Sequence, residues 1–265
     1  MIDKRAVAFC DILGFKNKIF RENLYDFSKK YENAIGIIDY LSKSISKILN
    51  LEDEPKLFPK HEVDEQWCEK YIFSDAIILI SKSNSEEDIL KLMIHTWRLS
   101  QVFLSIGLPF RGGIVFDEIY LSKGIVLGKA LILAYELEQV QDWIGVSIDD
   151  SIVKNYPNLK CQMEDQSTLL GHLFPKYLVP CKGGTTRRLH VVSWRFNFVA
   201  QNGTRSLFDA KGGQDVINKI EQTLAFVKFY KENFRILSNQ KETPIEIRIF
   251  YAGDTQPPFD HGDDL

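Results

Sequence analysis

The chain has 265 residues, 45% hydrophobic and 26% charged, a mix that supports a full-sized core and argues against disorder. Its formal net charge of -3 and isoelectric point near 6.0 offer no general attraction to nucleic-acid phosphates, so sequence-independent DNA or RNA binding is not expected. Cys10, Cys68, Cys161 and Cys181 show no C-x-x-C spacing, which removes the usual zinc and redox readings.

The first residues run straight into a short apolar segment without the features of a signal peptide, and no apolar run is long enough for a bilayer. A cytoplasmic protein with no membrane partner is the expectation. Arg5 to Cys10 (RAVAFC) predicts a buried strand that delivers Asp11 at its end, followed by Ile12-Leu13-Gly14-Phe15. From Lys18 to Leu49, Phe27, Tyr31, Ala34, Ile38, Leu41, Ile45 and Ile48 recur at steps of four and three, which predicts one long amphipathic helix. Asn50 to Val63, with Pro55 and Pro59, reads as a loop.

Trp67 to Phe73 and Ala76 to Ser81 read as two strands joined through Ser74-Asp75, which places Asp75 at an exposed turn. Ser85 followed by Glu86, Glu87 and Asp88 predicts a capped helix start, and Gly107 with Pro109 its end. Phe110 to Tyr120 and Gly124 to Leu127 read as strands, Ala130 to Val140 as a helix and Ile144 to Ile148 as a strand. Asp117-Glu118 reads as a hairpin tip. Beyond Asp150 the pattern weakens until a strand at Leu189 to Phe198 and a helix at Val216 to Leu237.

This order predicts an α+β fold, a ferredoxin-like split βαβ pattern with a central, mostly antiparallel sheet flanked by helices. Residues 1–150 form the expected catalytic core and 151–255 a C-terminal embellishment of the same domain. Residues 256–265 form an acidic tail.

Asp11 and Asp75 each stand where a short apolar strand breaks, and neighbouring strands of this topology would bring both to one sheet edge. Paired carboxylates suit Mg²⁺ or Mn²⁺, which favour oxygen ligands and commonly bind through one or two carboxylates plus substrate phosphates. The backbone carbonyl of Ile12 is a further candidate ligand. Two such ions about 4 Å apart serve in-line displacement at phosphorus. The bland alternative is that each aspartate caps a helix or forms a turn.

Phe9-Cys-Asp11-Ile-Leu-Gly14-Phe15 resembles the first metal-binding strand of class III nucleotidyl cyclases, and Tyr71-Ile-Phe-Ser-Asp75 resembles their second. Arg111-Gly-Gly-Ile114, Gly124-Ile-Val-Leu-Gly128-Lys-Ala130 and Ala134-Tyr-Glu-Leu-Glu138 resemble the third motif, so the likeness covers about the first 150 residues. It implies a class III cyclase fold, a homodimer with composite active sites, and two Mn²⁺ or Mg²⁺ ions per site held by Asp11, Ile12 and Asp75. Catalytic roles fall on Asp11, Asp75 and Arg111, and nucleotide contacts on Tyr71, Arg111 and Phe15. The family's transition-state asparagine and arginine correspond to Ile132 and Glu136, so that part of its mechanism does not carry over.

Tyr71 stands where purine cyclases place a base-reading lysine or glutamate. This is similar to the pyrimidine cyclases of the bacterial Pycsar anti-phage system, and implies UTP as substrate, CTP as the alternative, and a separate effector that senses the cyclic product. The family also contacts the triphosphate with a cation from a later strand, for which Lys182, Arg187 and Arg188 are open alternatives. A reading of another class is a degenerate cyclase-fold module that binds nucleotide or a partner without turnover. The five histidines lack metal or triad spacing, Gly112-Gly113 and Gly183-Gly184 form no P-loop, and Trp194, Phe196 and Phe198 read as a core or interface strand.

Overall fold

The apolar run near the N-terminus forms the centre of the sheet. In the computed structural model, which describes residues 2–48, 68–193 and 214–234, it lies in strand β1 (Ile2–Ile12), where Ala6, Val7 and Ala8 are all 0% exposed. Both faces of β1 are covered, which explains a continuous rather than alternating hydrophobic pattern. Helices α1 (Phe15–Arg21) and α2 (Leu24–Ile48) follow, then the hairpin of β2 (Cys68–Phe73) and β3 (Ala76–Ser81). Next come α3 (Glu86–Ser105), β4 (Phe110–Ser122), β5 (Ile125–Leu127), α4 (Lys129–Val140) and β6 (Val146–Ile148).

β1 and β2 each pair antiparallel with β3, so they run parallel to each other with β3 between them, and this is the split βαβ arrangement. β4 pairs antiparallel with the other side of β1. The eight-stranded sheet has the order β2-β3-β1-β4-β6-β8-β7, with β5 paired to the end of β4 and β4–β6 its parallel pair. The expected α+β architecture with a mostly antiparallel sheet is what the chain adopts.

Each face of the sheet has its own apolar cluster. Ala6, Ala8, Cys10 and Ile12 of β1 join Phe27, Met93, Phe103 and Phe174 on one face, beneath α2, α3 and the later short helices. Val7 and Phe9 join Val115, Ala134, Leu137 and Phe226 on the other, beneath α4 and the C-terminal helix.

Several details differ from the sequence expectations. The helix expected from Lys18 to Leu49 is broken between Arg21 and Leu24, because the Asn23 side chain accepts from the backbone N–H groups of Tyr25 and Asp26 and starts a second helix there. Asp117-Glu118 is not a hairpin tip. Both lie inside β4 opposite Arg5 and Lys4, where unlike charges suit cross-strand pairs. The turn falls instead at Lys123-Gly124, whose φ values of 49° and 82° are those of a tight hairpin. Ser85 caps α3 as expected by accepting from the Asp88 N–H, and Ile106 ends that helix as its C-cap.

Beyond Asp150 the chain is more regular than its periodicity suggests. Three short helices, α5 (Asp150–Asn155), α6 (Pro157–Glu164) and α7 (Leu169–Leu173), are each too brief to show a helical repeat. β7 (Lys176–Cys181) and β8 (Thr185–Val191) then extend the same sheet, joined through Gly183 and Gly184 at φ 76° and 74°. The strand expected from Leu189 to Phe198 thus begins earlier, and Trp194, Phe196 and Phe198 lie outside the described residues. The C-terminal helix, α8 (Gln214–Asn233), is anchored by Phe226, 5.0 Å from Trp143, and by Thr223, whose hydroxyl accepts from the Ile144 N–H at 2.8 Å. The Asn50 to Val63 loop and the acidic tail from residue 256 lie outside the described residues.

Candidate functional site

Register places the first expected site residue beside the second. Asp11 pairs with Ala76, the residue after Asp75, and the Ile12 N–H donates to the Asp75 carbonyl at 2.9 Å. The end of β1 is therefore fastened to the β2–β3 turn, and both aspartates occupy one end of the sheet. The turn is tight: Phe73 pairs with Ala76 across Ser74-Asp75, and Ser74 adopts φ 56°, a left-handed value uncommon for a residue with a Cβ.

Asp11 also faces β4, where Arg111 is its register partner. The Arg111 guanidinium is buried and held from three sides. Its Nη2 lies 2.5 Å from Glu138 Oε1 and 3.8 Å from Asp11 Oδ2, and its Nη1 donates to the Gln141 carbonyl at 3.2 Å. The Glu138 contact is an ion pair without in-line hydrogen-bond geometry, and the Arg111 Nε has no acceptor.

Glu138 comes from α4, whose inward stripe is Ala130, Ala134, Leu137 and Glu138. The helix lies close on the sheet because Gly113 faces it: a Cβ there would stand 2.6 Å from the Ala134 carbonyl oxygen and 2.9 Å from Leu137 Cβ. At the end of α4, the Gln141 side chain donates to the carbonyls of Gly112 and Leu137 and accepts from Trp143 Nε1 and Ser147 Oγ. All its bonding positions are filled, so the carbonyl that receives Arg111 is fixed in place.

The electrostatics follow from this crowding. Burial raises the Asp11 carboxyl above the usual aspartate range, the neighbouring Asp75 charge raises it further, and Arg111 opposes both. Burial likewise raises Glu138, opposed chiefly by Arg111. Of the three later-strand cations, Lys182 is the one whose charge reaches Glu138; Arg187 is paired with Asp149 at 3.9 Å.

The remaining expected site residues divide. Tyr71 pairs with Ile78, which pairs with Phe9, so all three share the Asp11 face of the sheet, and the Tyr71 hydroxyl donates to Glu69 Oε2 at 3.1 Å. Phe15 packs into the opposite cluster, its ring 5.4 Å from Phe27 and 6.3 Å from Tyr31. The left-handed Gly14 at φ 74° turns the chain there and separates Phe15 from Asp11. The Ile12 side chain is buried in that same cluster, leaving its backbone as the part available to a ligand. Ile132 is 58% exposed and Glu136 is exposed on the outer side of α4.

Glu138, which the sequence motifs place only at the end of Ala134-Tyr-Glu-Leu-Glu138, is the site residue that the structure adds. Its signal was present, since it falls on the apolar stripe of α4 where an unpaired acid would be costly. The chemistry of the donor set suits a hard divalent cation: two carboxylates share one sheet end, with Asp11 partly desolvated beside a like charge. Among the described residues no group of three or more His, Cys, Asp or Glu side chains forms a metal cage, so backbone, water or substrate oxygens would complete the coordination.

No family model matches the chain, and no curated protein matches it. Solved structures similar to it include the following three. The guanylate cyclase domain of RhGC from Catenaria anguillulae in complex with GTP shares 13% identity over 74% of this chain and 99% of that chain, with a TM-score of 0.46. The catalytic core of a rhodopsin-guanylyl cyclase with converted specificity in complex with ATPalphaS shares 12% identity over 74% of this chain and 98% of that one, TM-score 0.45. The adenylyl cyclase CyaB from P. aeruginosa shares 13% identity over 74% of this chain and 96% of that one, TM-score 0.41.

Proposed function

We propose that the protein is a metal-dependent nucleotide cyclase that converts UTP to 3′,5′-cyclic UMP and pyrophosphate, with CTP the alternative substrate. The observation that carries the reading is the juxtaposition of Asp11 and Asp75, stitched together by the Ile12–Asp75 backbone hydrogen bond. Divalent ions held by Asp11, Asp75 and the Ile12 carbonyl would activate the ribose 3′-hydroxyl and neutralise charge on the departing pyrophosphate. The chain's own part is positional: the tight turn fixes Asp75 and the β1–β4 register fixes Asp11.

Tyr71 supports the pyrimidine reading. Its phenol lies on the Asp11 face of the sheet, where its bulk would shorten a base pocket and its hydroxyl, already engaged with Glu69, would present an oriented polar edge. A messenger role in anti-phage defence, read by a separate effector, rests on the resemblance of the Tyr71 to Asp75 segment to Pycsar cyclases. Lys182, Arg187 and Arg188 are the open later-strand cations for the triphosphate, of which Arg187 is already paired with Asp149 at 3.9 Å. Arg111 keeps the catalytic and nucleotide-contact roles that the resemblance implies as part of the proposal, its guanidinium lying beside Asp11 and engaged by Glu138.

A homodimer with composite sites is part of the proposal. Ile125 and Leu127 on β5 and Ile132 on the outer side of α4 are 52–58% exposed, apolar side chains suited to contact with a second copy, and Phe73 is 83% exposed at the other end of the sheet beside the β2–β3 turn. Incubation with each of the four NTPs and Mn²⁺, with products resolved by mass spectrometry, tests the function. Cyclic UMP or cyclic CMP is expected, and a purine cyclic product would remove the pyrimidine assignment. The exposed Ile132 and Glu136 favour the second reading, a cyclase-fold module without turnover, which nucleotide binding with no cyclic product would establish.

A further inference from the structure

We infer that Glu138 is a positioning residue: its buried carboxylate holds the Arg111 guanidinium off Asp11 and so leaves Asp11 available to a divalent cation. This rests on the assignment of Asp11 as a cation ligand made above. The evidence is the asymmetry of the cluster. Arg111 Nη2 stands 2.5 Å from Glu138 Oε1 but 3.8 Å from Asp11 Oδ2, although Asp11 is its direct cross-strand neighbour. A buried arginine beside two carboxylates has thus committed to one of them.

The commitment is built into the packing. Glu138 is 0% exposed, so water does not compete for its carboxylate, and α4 carries it onto the sheet through the close contact at Gly113. The other side of the guanidinium is tied to the carbonyl of Gln141, whose side chain is locked by its four hydrogen bonds. With Glu138 neutralised, Arg111 would keep its charge in a buried setting with Asp11 as the nearest acid. A charge-assisted bond would then form with the carboxylate that the cation needs. A purely structural Glu138 predicts a different result, namely lower stability with unchanged cation affinity.

Crystal structures of the metal-free wild type and Glu138→Gln read the geometry directly. The Arg111–Asp11 separation should contract from 3.8 Å to about 2.8 Å, the usual charge-assisted distance. A guanidinium left in place would overturn the inference whether or not the protein binds metal. Mn²⁺ titration by calorimetry supplies the second reading. Glu138→Gln should weaken Mn²⁺ binding by about tenfold or more, and the added substitution Arg111→Gln should restore it to within about threefold. Wild-type affinity in Glu138→Gln, or no recovery in the double variant, would also overturn it.

Where Glu138→Gln fails to fold, Glu138→Asp keeps the charge but withdraws it by one methylene, and an intermediate loss is expected; no loss counts against the proposal. Failure of wild-type protein to bind Mn²⁺ would instead reject the cation site itself, while the crystal structures still decide what holds Arg111.

Discussion

The backbone N–H of Ile12 donates to the carbonyl of Asp75 at 2.9 Å, joining two segments more than sixty residues apart in the chain. The bond fixes the relative position of the two candidate ligands through main chain alone, so changing either side chain should leave the scaffold standing. Asp11→Asn and Asp75→Asn are each expected to fold, as judged by circular dichroism, and to lose about two orders of magnitude or more in turnover with Mn²⁺. Retained turnover in either variant would remove that residue from the cation site.

Asp11 also makes a testable contribution to stability. Its carboxyl is raised above the usual aspartate range by burial and by Asp75, so the native state holds its proton more tightly than the unfolded chain does. The associated stabilisation is complete below the unfolded aspartate value and is lost as pH rises through the raised native value. Metal-free Asp11→Asn should therefore gain on the wild type as pH rises through that window and keep that gain above it. Urea unfolding across the acid-to-neutral range measures the difference. A stability difference that does not move in favour of Asp11→Asn as pH rises would contradict the stated balance of burial against Arg111.

Ser74 stores strain beside the site. Its φ of 56° in a two-residue hairpin turn is a value that glycine adopts freely and serine does not. Ser74→Gly should relieve about 1 kcal/mol of backbone strain, partly offset by the greater freedom of glycine in the unfolded chain. A small rise in melting temperature with unchanged Mn²⁺ affinity is expected. A fall in affinity would show that the side chain itself serves the site.

Much of this arrangement is legible in the sequence, because strand runs ending in aspartate and a capped helix after Ser85 are local signals. The β1–β3 and β1–β4 pairings follow from the split βαβ order. Other features are not local. Nothing near Arg111 in the chain indicates that its guanidinium is spoken for, since Glu138 arrives from another element through tertiary packing. Asp117-Glu118 looks like a turn until the length of β1 is known, for only a partner strand carrying Lys4 and Arg5 makes that acidic pair suitable for a ladder. The break at Asn23 was legible in principle as a helix cap, but the regular apolar spacing on either side masks it.

Gly113 tests the link between packing and site most directly. A methyl group there would approach the Ala134 carbonyl oxygen to 2.6 Å and Leu137 Cβ to 2.9 Å, and the first of these is backbone that cannot rotate away. Gly113→Ala must therefore lift α4 from the sheet by several tenths of an ångström, at about 1–3 kcal/mol for overpacking. Because α4 carries Glu138, the same shift loosens the grip on Arg111, and Mn²⁺ affinity should fall together with melting temperature. Gly183→Ala is the control: open space surrounds it, but its φ of 76° makes the substitution strained. It should cost about 1 kcal/mol of stability and leave the cation site alone. Equal effects of the two substitutions on Mn²⁺ affinity would show that the site does not depend on how closely α4 approaches β4.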